Sequence, residues 1–298
     1  MNTSTPTLGG SLSPELCRRI ARWTHRLDLP RLALACKSFQ VASEKRLYES
    51  LFLGEPYIAL IVCQTIAEAR RLGPYVREFY IYQEDRRARD VGLPLEFWTV
   101  VQDAMSTMCN LEFLYIHDNG SNTFILDPAR ITFRLKSAQL HLDWDEHLVA
   151  FLSGQRRLND LLLSEGPPSI EAGPQLQLPH LKQFAGTITA AAQLMTSPLT
   201  HIHIEAAAVT MSLESLIRIL ATCRKTLRSL CIINIPESHS LKALQVISNM
   251  IPNLRYLGIL YIQSYNVRLC PQNHSDITDG ASFSLPARGC SSVPNENA

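Results

Sequence analysis

The chain has 298 residues, 46% of them hydrophobic, and its 28 basic and 27 acidic residues leave a net charge of +1. This length and composition suffice for one large domain or two small domains with a buried core. A net charge this close to zero excludes the whole-protein field on which general nucleic-acid or membrane-surface binders depend, so we expect neither partner.

The amino-terminal residues 1–10 are expected to be disordered. They contain neither the basic segment nor the apolar core of a secretory signal, which predicts an intracellular protein of the cytoplasm or the nucleus. The apolar run at residues 57–67 is shorter than the about 20 residues of a membrane-spanning helix. The eight cysteines form no C-x-x-C pair. Their irregular spacing predicts reduced, buried thiols rather than disulfides or a zinc site.

Residues 11–53 predict three short helices. Ser13 is suited to the N-cap of the first helix, with Pro14 and Glu15 in its first turn. Asp28 is expected to cap the second helix, and a third helix completes the segment. Helices in a segment this small supply only a marginal core. We therefore expect them to dock on the following repeats as a cap, or on another protein through a helix-in-groove contact.

Apolar residues recur at helical spacing in two of these helices. The apolar face of the first is predicted to consist of Leu16, Ile20 and either Trp23 or Leu27. The stripe of the second is predicted to consist of Leu29, Leu32, Ala33 and Cys36. These faces hold both the residues that join the helices and any residues that contact a partner.

Eight short segments approximate the pattern L-x-x-L-x-L: residues 76–81, 111–116, 137–142, 158–163, 181–186, 199–204, 227–232 and 254–259. Their fourth positions are Phe79, Leu114, Leu140, Leu161, Phe184, Ile202, Leu230 and Leu257, at steps of 35, 26, 21, 23, 18, 28 and 27 residues. Between the segments the apolar period changes from two to 3.6, as in residues 97–108, 213–220 and 244–251. The alternation predicts stacked strand–turn–helix units with a parallel sheet on one side and helices on the other.

The repeats resemble the leucine-rich repeat family over roughly residues 75–262. The asparagine that the family places after the strand is matched only by Asn119, with Asn234 one position early. We accordingly expect an α/β leucine-rich-repeat-like solenoid over residues 54–265. The alternative is an ordinary doubly wound α/β domain, whose buried parallel strands show similar apolar runs.

The amino-terminal helices resemble an F-box over residues 11–53. The matching residues run from Leu12-x-Pro14-Glu15-Leu16-x-x-x-Ile20 through Asp28-Leu29-x-x-Leu32-Ala33-x-x-Cys36-Lys37-x-Phe39 to Ala42 and Leu47-Tyr48. Ser13 departs from the proline that is common in the family. An F-box followed by degenerate leucine-rich repeats is similar to the arrangement common in fungal F-box proteins.

This resemblance implies a substrate-receptor subunit of an SCF-type cullin-RING ubiquitin ligase. The F-box would bind the Skp adaptor, and through it a cullin, while the repeats hold an unknown protein substrate. Catalysis would belong to other subunits, so we expect neither enzymatic activity nor a cofactor. The implied adaptor-binding residues are Pro14, Leu16, Ile20, Leu29, Leu32, Cys36 and Phe39. The alternative is an intracellular protein-interaction scaffold with no ubiquitin ligase role.

The candidate substrate surface follows from the two-residue period of the strands. The middle column of the repeats reads Tyr80, Tyr115, His141, Leu162, Ala185, His203, Cys231 and Gly258. Adding the flanking aromatic residues gives the predicted substrate-binding set of Tyr80, Tyr82, Phe113, Tyr115, His141 and His203. Clustered aromatic side chains are frequent interface anchors, although a loop or the tail would cover them equally well.

Histidines raise the question of a metal. His201, His203 and Glu205 alternate on one predicted strand face, and His141 and Asp143 repeat the spacing two strands away. The same spacing suits a polar sheet surface, and we predict no metal site. Residues 266–298 are rich in Ser, Pro, Gly and Asn and are expected to be a disordered tail.

Overall fold

The computed structural model of the protein describes residues 12–82, 93–118, 122–164, 166, 175–205, 222–235, 237–251 and 253–261. The chain divides into a unit that ends at Ile262 and a second unit of residues 263–298, which lies outside the described residues. The predictions for residues 1–10, the tail, the helix at 213–220 and Asn119 also fall outside them.

The amino-terminal segment contains three α-helices: α1 (Pro14–Trp23), α2 (Leu29–Ala33) and α3 (Lys37–Tyr48). The Ser13 hydroxyl accepts a hydrogen bond from the Leu16 backbone N–H at 3.3 Å, which confirms the predicted N-cap. The predicted cap at Asp28 is wrong. Its side chain makes no cap hydrogen bond, because it ends a 3₁₀ turn (Arg26–Asp28) in helical rather than extended conformation.

A small core of its own joins these helices. Cys17 and Ala21 of α1 pack against Leu29 and Ala42, all of them buried. The outer shell of this core consists of Leu32, Phe39 and Leu47. Since Cys17 and Ala21 are small, α1 approaches its neighbours closely and turns its larger apolar residues outward.

Nine parallel strands form one sheet in chain order. The strands are β1 (Ser50–Leu53), β2 (Glu78–Ile81), β3 (Phe113–His117), β4 (Ser137–His141), β5 (Asp160–Leu163), β6 (Gln183–Thr187), β7 (His201–Glu205), β8 (Ser229–Ile235) and β9 (Tyr256–Tyr261). The connections include α4 (Pro56–Glu68), α5 (Leu95–Thr107), α6 (Glu146–Gly154), α7 (Ile188–Gln193) and α8 (Glu237–Met250), with 3₁₀ turns at Gly73–Tyr75 and Thr123–Leu126. All eight predicted strands are present.

The strand order distinguishes the two predicted architectures. A doubly wound domain reverses its strand order at a switch point, whereas stacked repeats add each strand beside the previous one. Strict order from β1 to β9 therefore confirms a leucine-rich-repeat-like sheet with outer helices. Its core lies between alternate strand residues, such as Phe79 and Leu114, and helix residues such as Cys63, Trp98 and Phe151.

The register of β4 differs from the prediction. Leu114 of β3 aligns with Ala138, and Ala138 aligns with Leu161 of β5, so Ala138 and not Leu140 occupies the fourth position of this repeat. The steps on either side are thus 24 and 23 residues. The slip arose because an alanine stands where the pattern expects leucine. Since it is two residues long, it leaves His141 on the predicted face.

The sheet begins inside the range assigned to the helical segment. β1 pairs with β2 from Ser50 to Leu53, and only Glu49 separates it from α3. The Arg26 side chain donates to the carbonyl oxygens of Leu47 at 3.0 Å and Ser50 at 2.8 Å, which joins the 3₁₀ turn to this junction.

A second side-chain contact joins α3 to the repeats. Arg71 donates to the Glu44 carboxylate at 2.9 Å, and this bond lowers the pKa of Glu44 below its usual value. The helices and the first repeat are therefore joined by side chains as well as by the chain. Within the described segments, we find no helix with the length and apolar character needed to cross a membrane.

Candidate functional site

Alternate strand residues face away from the helices and form what we call the open face of the sheet. Its central row, aligned by strand register, reads Phe52, Tyr80, Tyr115, Gln139, Leu162, Ala185, His203, Cys231 and Gly258. Side chains in this row are large on the first three strands and small on the last two. The aromatic surface is therefore concentrated on the amino-terminal strands.

Seven rings on β1 to β4, counting Tyr82 directly after β2, form a contiguous cluster that we call the aromatic ladder: Phe52, Tyr80, Tyr82, Phe113, Tyr115, His117 and His141. Tyr80 stacks on Phe52 with ring centroids 4.2 Å apart and on Phe113 at 4.6 Å. These centroid distances are close to the spacing of neighbouring strands, so Phe52, Tyr80 and Phe113 form a stack that crosses β1, β2 and β3.

The ladder continues across β3 and β4. Tyr115 meets Tyr82 edge-on at 5.9 Å and the His141 ring at 5.6 Å. His141 in turn stacks on His117 at 4.8 Å. The rings hold one another in place, and the ladder is a preformed surface rather than a set of separate side chains.

Burial changes the acid–base behaviour of the ladder. Desolvation, with a smaller contribution from the nearby His117, lowers the pKa of His141 from 6.5 to about 4. His141 is therefore neutral at physiological pH. Desolvation also raises the pKa of Tyr80, and the charge of Glu78 adds to that shift. His141 and Tyr80 thus present uncharged rings.

Five of the six residues predicted to bind substrate lie in the ladder. The sixth, His203, is on β7, three strands beyond His141 rather than the predicted two. Its Nε2 is buried without a hydrogen-bond partner among the described residues. Phe52 and His117 were missed. The alternation Leu51-Phe52-Leu53 is the signal for Phe52, and His117 lies two residues after Tyr115 on the same strand face.

The two histidine groups do not converge on a metal. His201 Nδ1 lies 2.9 Å from the Thr200 hydroxyl, and the Glu205 carboxylate accepts from the Asn234 side-chain amide at 2.9 Å. Among the described residues, no three His, Cys, Asp or Glu side chains approach closely enough to hold an ion. The six described cysteines are free thiols, and burial raises the pKa of Cys63 to about 12.

A second surface lies on the amino-terminal helices. Its exposed large apolar residues between positions 12 and 34, which we call the apolar helix surface, are Leu12, Leu16, Ile20, Trp23, Leu27 and Leu34. Trp23 is 87% exposed, Leu34 86% and Leu27 80%. Leu16, Ile20 and Trp23 follow one stripe of α1, beside the stripe of Cys17 and Ala21 that faces the small core.

The predicted adaptor-binding residues divide between surface and interior. Pro14, Leu16, Ile20 and Cys36 are exposed. Leu32 and Phe39 are half-buried against the small core, and Leu29 is fully buried within it. Leu29 therefore stabilises the helices rather than reaching a partner. Trp23, Leu27 and Leu34 extend the exposed part beyond the predicted set.

Comparisons with known proteins leave the family of this chain open. No family model matches the sequence, and no curated protein matches it. Among solved structures, a chain from the crystal structure of a TLR13–ssRNA13 complex matches at 17% identity with a TM-score of 0.37. The match covers 64% of this chain and 33% of that chain. A likeness of this size does not bear on what the present chain binds.

Proposed function

We propose that this protein is a substrate-receptor subunit of an SCF-type cullin-RING ubiquitin ligase. The amino-terminal helices would bind the Skp adaptor, and the open face of the sheet would bind the protein to be modified. The subunit itself would be non-catalytic, with the chemistry supplied by other members of the complex.

The apolar helix surface carries this proposal. Large apolar side chains exposed together on one small helical segment are typical of a protein-binding surface, whereas a helical cap that only ends a repeat stack has a polar exterior. The segment also has the ordered residue matches of an F-box. The aromatic ladder supports the second half of the proposal, because aromatic residues are the commonest interface anchors.

A binding experiment with surface substitutions tests adaptor docking. Leu16 is 44% exposed, so Leu16→Asp should leave the fold intact while placing a charge on the apolar helix surface. We expect the purified full-length variant to lose at least about tenfold in affinity for the Skp adaptor, because an unpaired carboxylate would be buried at the contact. Pull-down and isothermal titration with circular dichroism of each protein give the measurement.

Leu241→Asp is the matched control. Leu241 is 77% exposed on α8, far along the chain from the apolar helix surface. This substitution should leave adaptor affinity unchanged. Absence of adaptor binding by well-folded wild-type protein, or equal binding by Leu16→Asp, would contradict adaptor docking.

A scaffold without a ubiquitin ligase role is the second candidate. The aromatic ladder favours it, since a preformed aromatic surface suits partner binding whether or not an adaptor is attached. This candidate would be supported if the folded protein bound a partner protein through the ladder but did not bind the Skp adaptor.

A further inference from the structure

The amino-terminal helices carry an excess of positive charge that the rest of the chain does not share. Residues 12–48 contain eight basic and three acidic residues, which gives this segment a net charge of +5. The other residues of the chain contain 20 basic and 24 acidic residues, a net charge of −4. The chain is therefore nearly neutral only as a sum, and its first helical segment is strongly basic.

Ion pairs within the protein do not neutralise this excess. Three carboxylates each offset one arginine: Glu15 pairs with Arg18, Glu44 with Arg71 and Glu49 with Arg46. Arg26 donates to two backbone carbonyl oxygens and keeps its charge. Asp28 forms no ion pair among the described residues, and neither do five exposed cations of the segment: Arg19, Arg22, Arg31, Lys37 and Lys45.

Two of the unpaired arginines border the apolar helix surface. Arg19 lies three residues after Leu16 and four residues before Trp23 on α1, and residues at these spacings are neighbours on a helix. Arg31 of α2 precedes Leu34 by three residues, and the Leu34 N–H donates to the Arg31 carbonyl oxygen at 3.1 Å. The exposed apolar side chains thus have arginines as neighbours on both helices.

We propose that the apolar helix surface binds a protein whose contact surface is apolar at its centre and acidic at its border. Arg19 and Arg31 would meet carboxylates of that partner, which attract the helices before contact and fix their orientation. Burial of the apolar side chains would supply most of the affinity. Under the proposed function this partner is the Skp adaptor, so the inference rests on adaptor docking and specifies the charge of the adaptor surface that docks.

An anionic membrane is the other partner that combines apolar contact with negative charge. Leu12, Leu16 and Ile20 are 45%, 44% and 37% exposed, so a partner of complementary shape contacts them more fully than a flat lipid surface does. The Asp28 carboxylate directly follows Leu27, and insertion of Leu27 among anionic headgroups would bring that carboxylate to like charges. A protein can place a donor opposite Asp28, so these features favour a protein partner.

Association kinetics with the Skp adaptor at two salt concentrations test the inference on the full-length protein. We expect the wild-type association rate constant to fall at least about fivefold between about 50 mM and about 500 mM NaCl, because salt screens charges at a surface. At the lower salt concentration, Arg19→Glu and Arg31→Glu should each lower this constant severalfold, and the double variant about tenfold or more. Biolayer interferometry gives the rates, and circular dichroism checks the fold of each variant.

Two further variants are the controls. Arg157→Glu makes the same change of charge at an exposed arginine before β5, four strands from β1, and should keep the wild-type rate within about twofold. Arg19→Lys retains the charge and should also associate at the wild-type rate. Equal losses in Arg19→Lys and Arg19→Glu would contradict a role for the charge of Arg19.

Adaptor binding that changes neither with salt nor with the two charge reversals would overturn this inference and leave adaptor docking in place. Absence of adaptor binding by folded wild-type protein would overturn both. Co-sedimentation with vesicles of phosphatidylcholine and phosphatidylserine tests the membrane alternative, and we expect no binding. Wild-type protein that sediments with these vesicles, and an Arg19→Glu variant that does not, would assign the basic border to lipid and overturn the inference.

Discussion

At Gly73 the chain passes so close to the end of α5 that a side chain has no room. A Cβ atom there would lie 2.5 Å from the backbone oxygen of Thr107, well inside van der Waals contact. Because the obstacle is backbone, it has no flexible end to move aside. Steric space, rather than an unusual backbone conformation, therefore accounts for this glycine.

Gly73→Ala should destabilise the protein by roughly 1 to 3 kcal/mol, the usual cost of overpacking. Gly154, at the end of α6, is the control, since a Cβ there meets nothing within 4 Å. Gly154→Ala should change stability by less than about 0.5 kcal/mol, or increase it slightly. Urea unfolding of both variants gives the comparison, and equal midpoints would contradict the steric argument.

His141 makes stability depend on pH. Its pKa falls from 6.5 to about 4 on folding, so the unfolded chain binds the proton first as the pH is lowered. The stability contribution of neutral His141 is therefore complete above about pH 6.5 and is lost as the pH falls towards 4, by an amount on the order of 1 to 3 kcal/mol for a half-buried ring.

His141→Gln should flatten the pH dependence of the unfolding free energy between pH 6.5 and 4. Urea titrations at several pH values provide the measurement, with His180→Gln as reference because His180 is exposed in the turn before β6. An unchanged slope in His141→Gln would show that its ring is hydrated in the folded protein.

Among the secondary-structure elements, β1 determines where the chain can be truncated without damage to the repeats. Its residues continue directly from a helix, and the sequence pattern assigned them to the helical segment. Leu51 and Leu53 are buried in the core of the sheet, while β1 covers the edge of β2. An edge strand protects its neighbour from pairing with other molecules.

Deletion of residues 1–53 should therefore damage the repeats as well as remove the helices. We expect the truncated protein to aggregate or to unfold at lower urea than wild type, because β2 becomes an open edge beside an uncovered core. Size-exclusion chromatography measures this. Deletion of residues 1–10, the control, should leave the elution volume of a monomer, and a monomeric, equally stable 1–53 deletion would contradict the role of β1.

For the whole molecule, the sequence predicted the repeat architecture well, because burial on a parallel sheet imposes the same apolar spacing on each strand. The prediction failed where one residue departed from that spacing. Ala138 occupies a position where the pattern expects leucine, so the predicted register of β4 was two residues out. The outward position of Leu16 and Ile20 on α1 agrees with their place in the implied adaptor-binding set, but the inward face of that helix was not predicted. Helical period identifies an apolar face but not its direction, and the small residues Cys17 and Ala21 proved to face the interior.

The candidate site was predictable to the extent that it follows from strand period. Tyr80, Phe113 and Tyr115 belong to strands that the pattern identifies and Tyr82 directly follows one of them, so their common face could be deduced. The order of the predicted segments also places His203 three strands beyond His141. The contacts among rings depend on side-chain packing, which no single-strand pattern contains.

The junction of α3 and β1 determines how motion passes between the two surfaces. Only one residue lies between α3 and β1, and hydrogen bonds from Arg26 to Leu47 and from Arg71 to Glu44 cross the junction. These contacts restrict rotation of the helices relative to the sheet. A protein bound to the ladder would then keep a fixed orientation relative to a partner bound to the helices. Under the proposed function, the orientation of the bound substrate, rather than the length of a flexible linker, would determine which of its lysines receive ubiquitin.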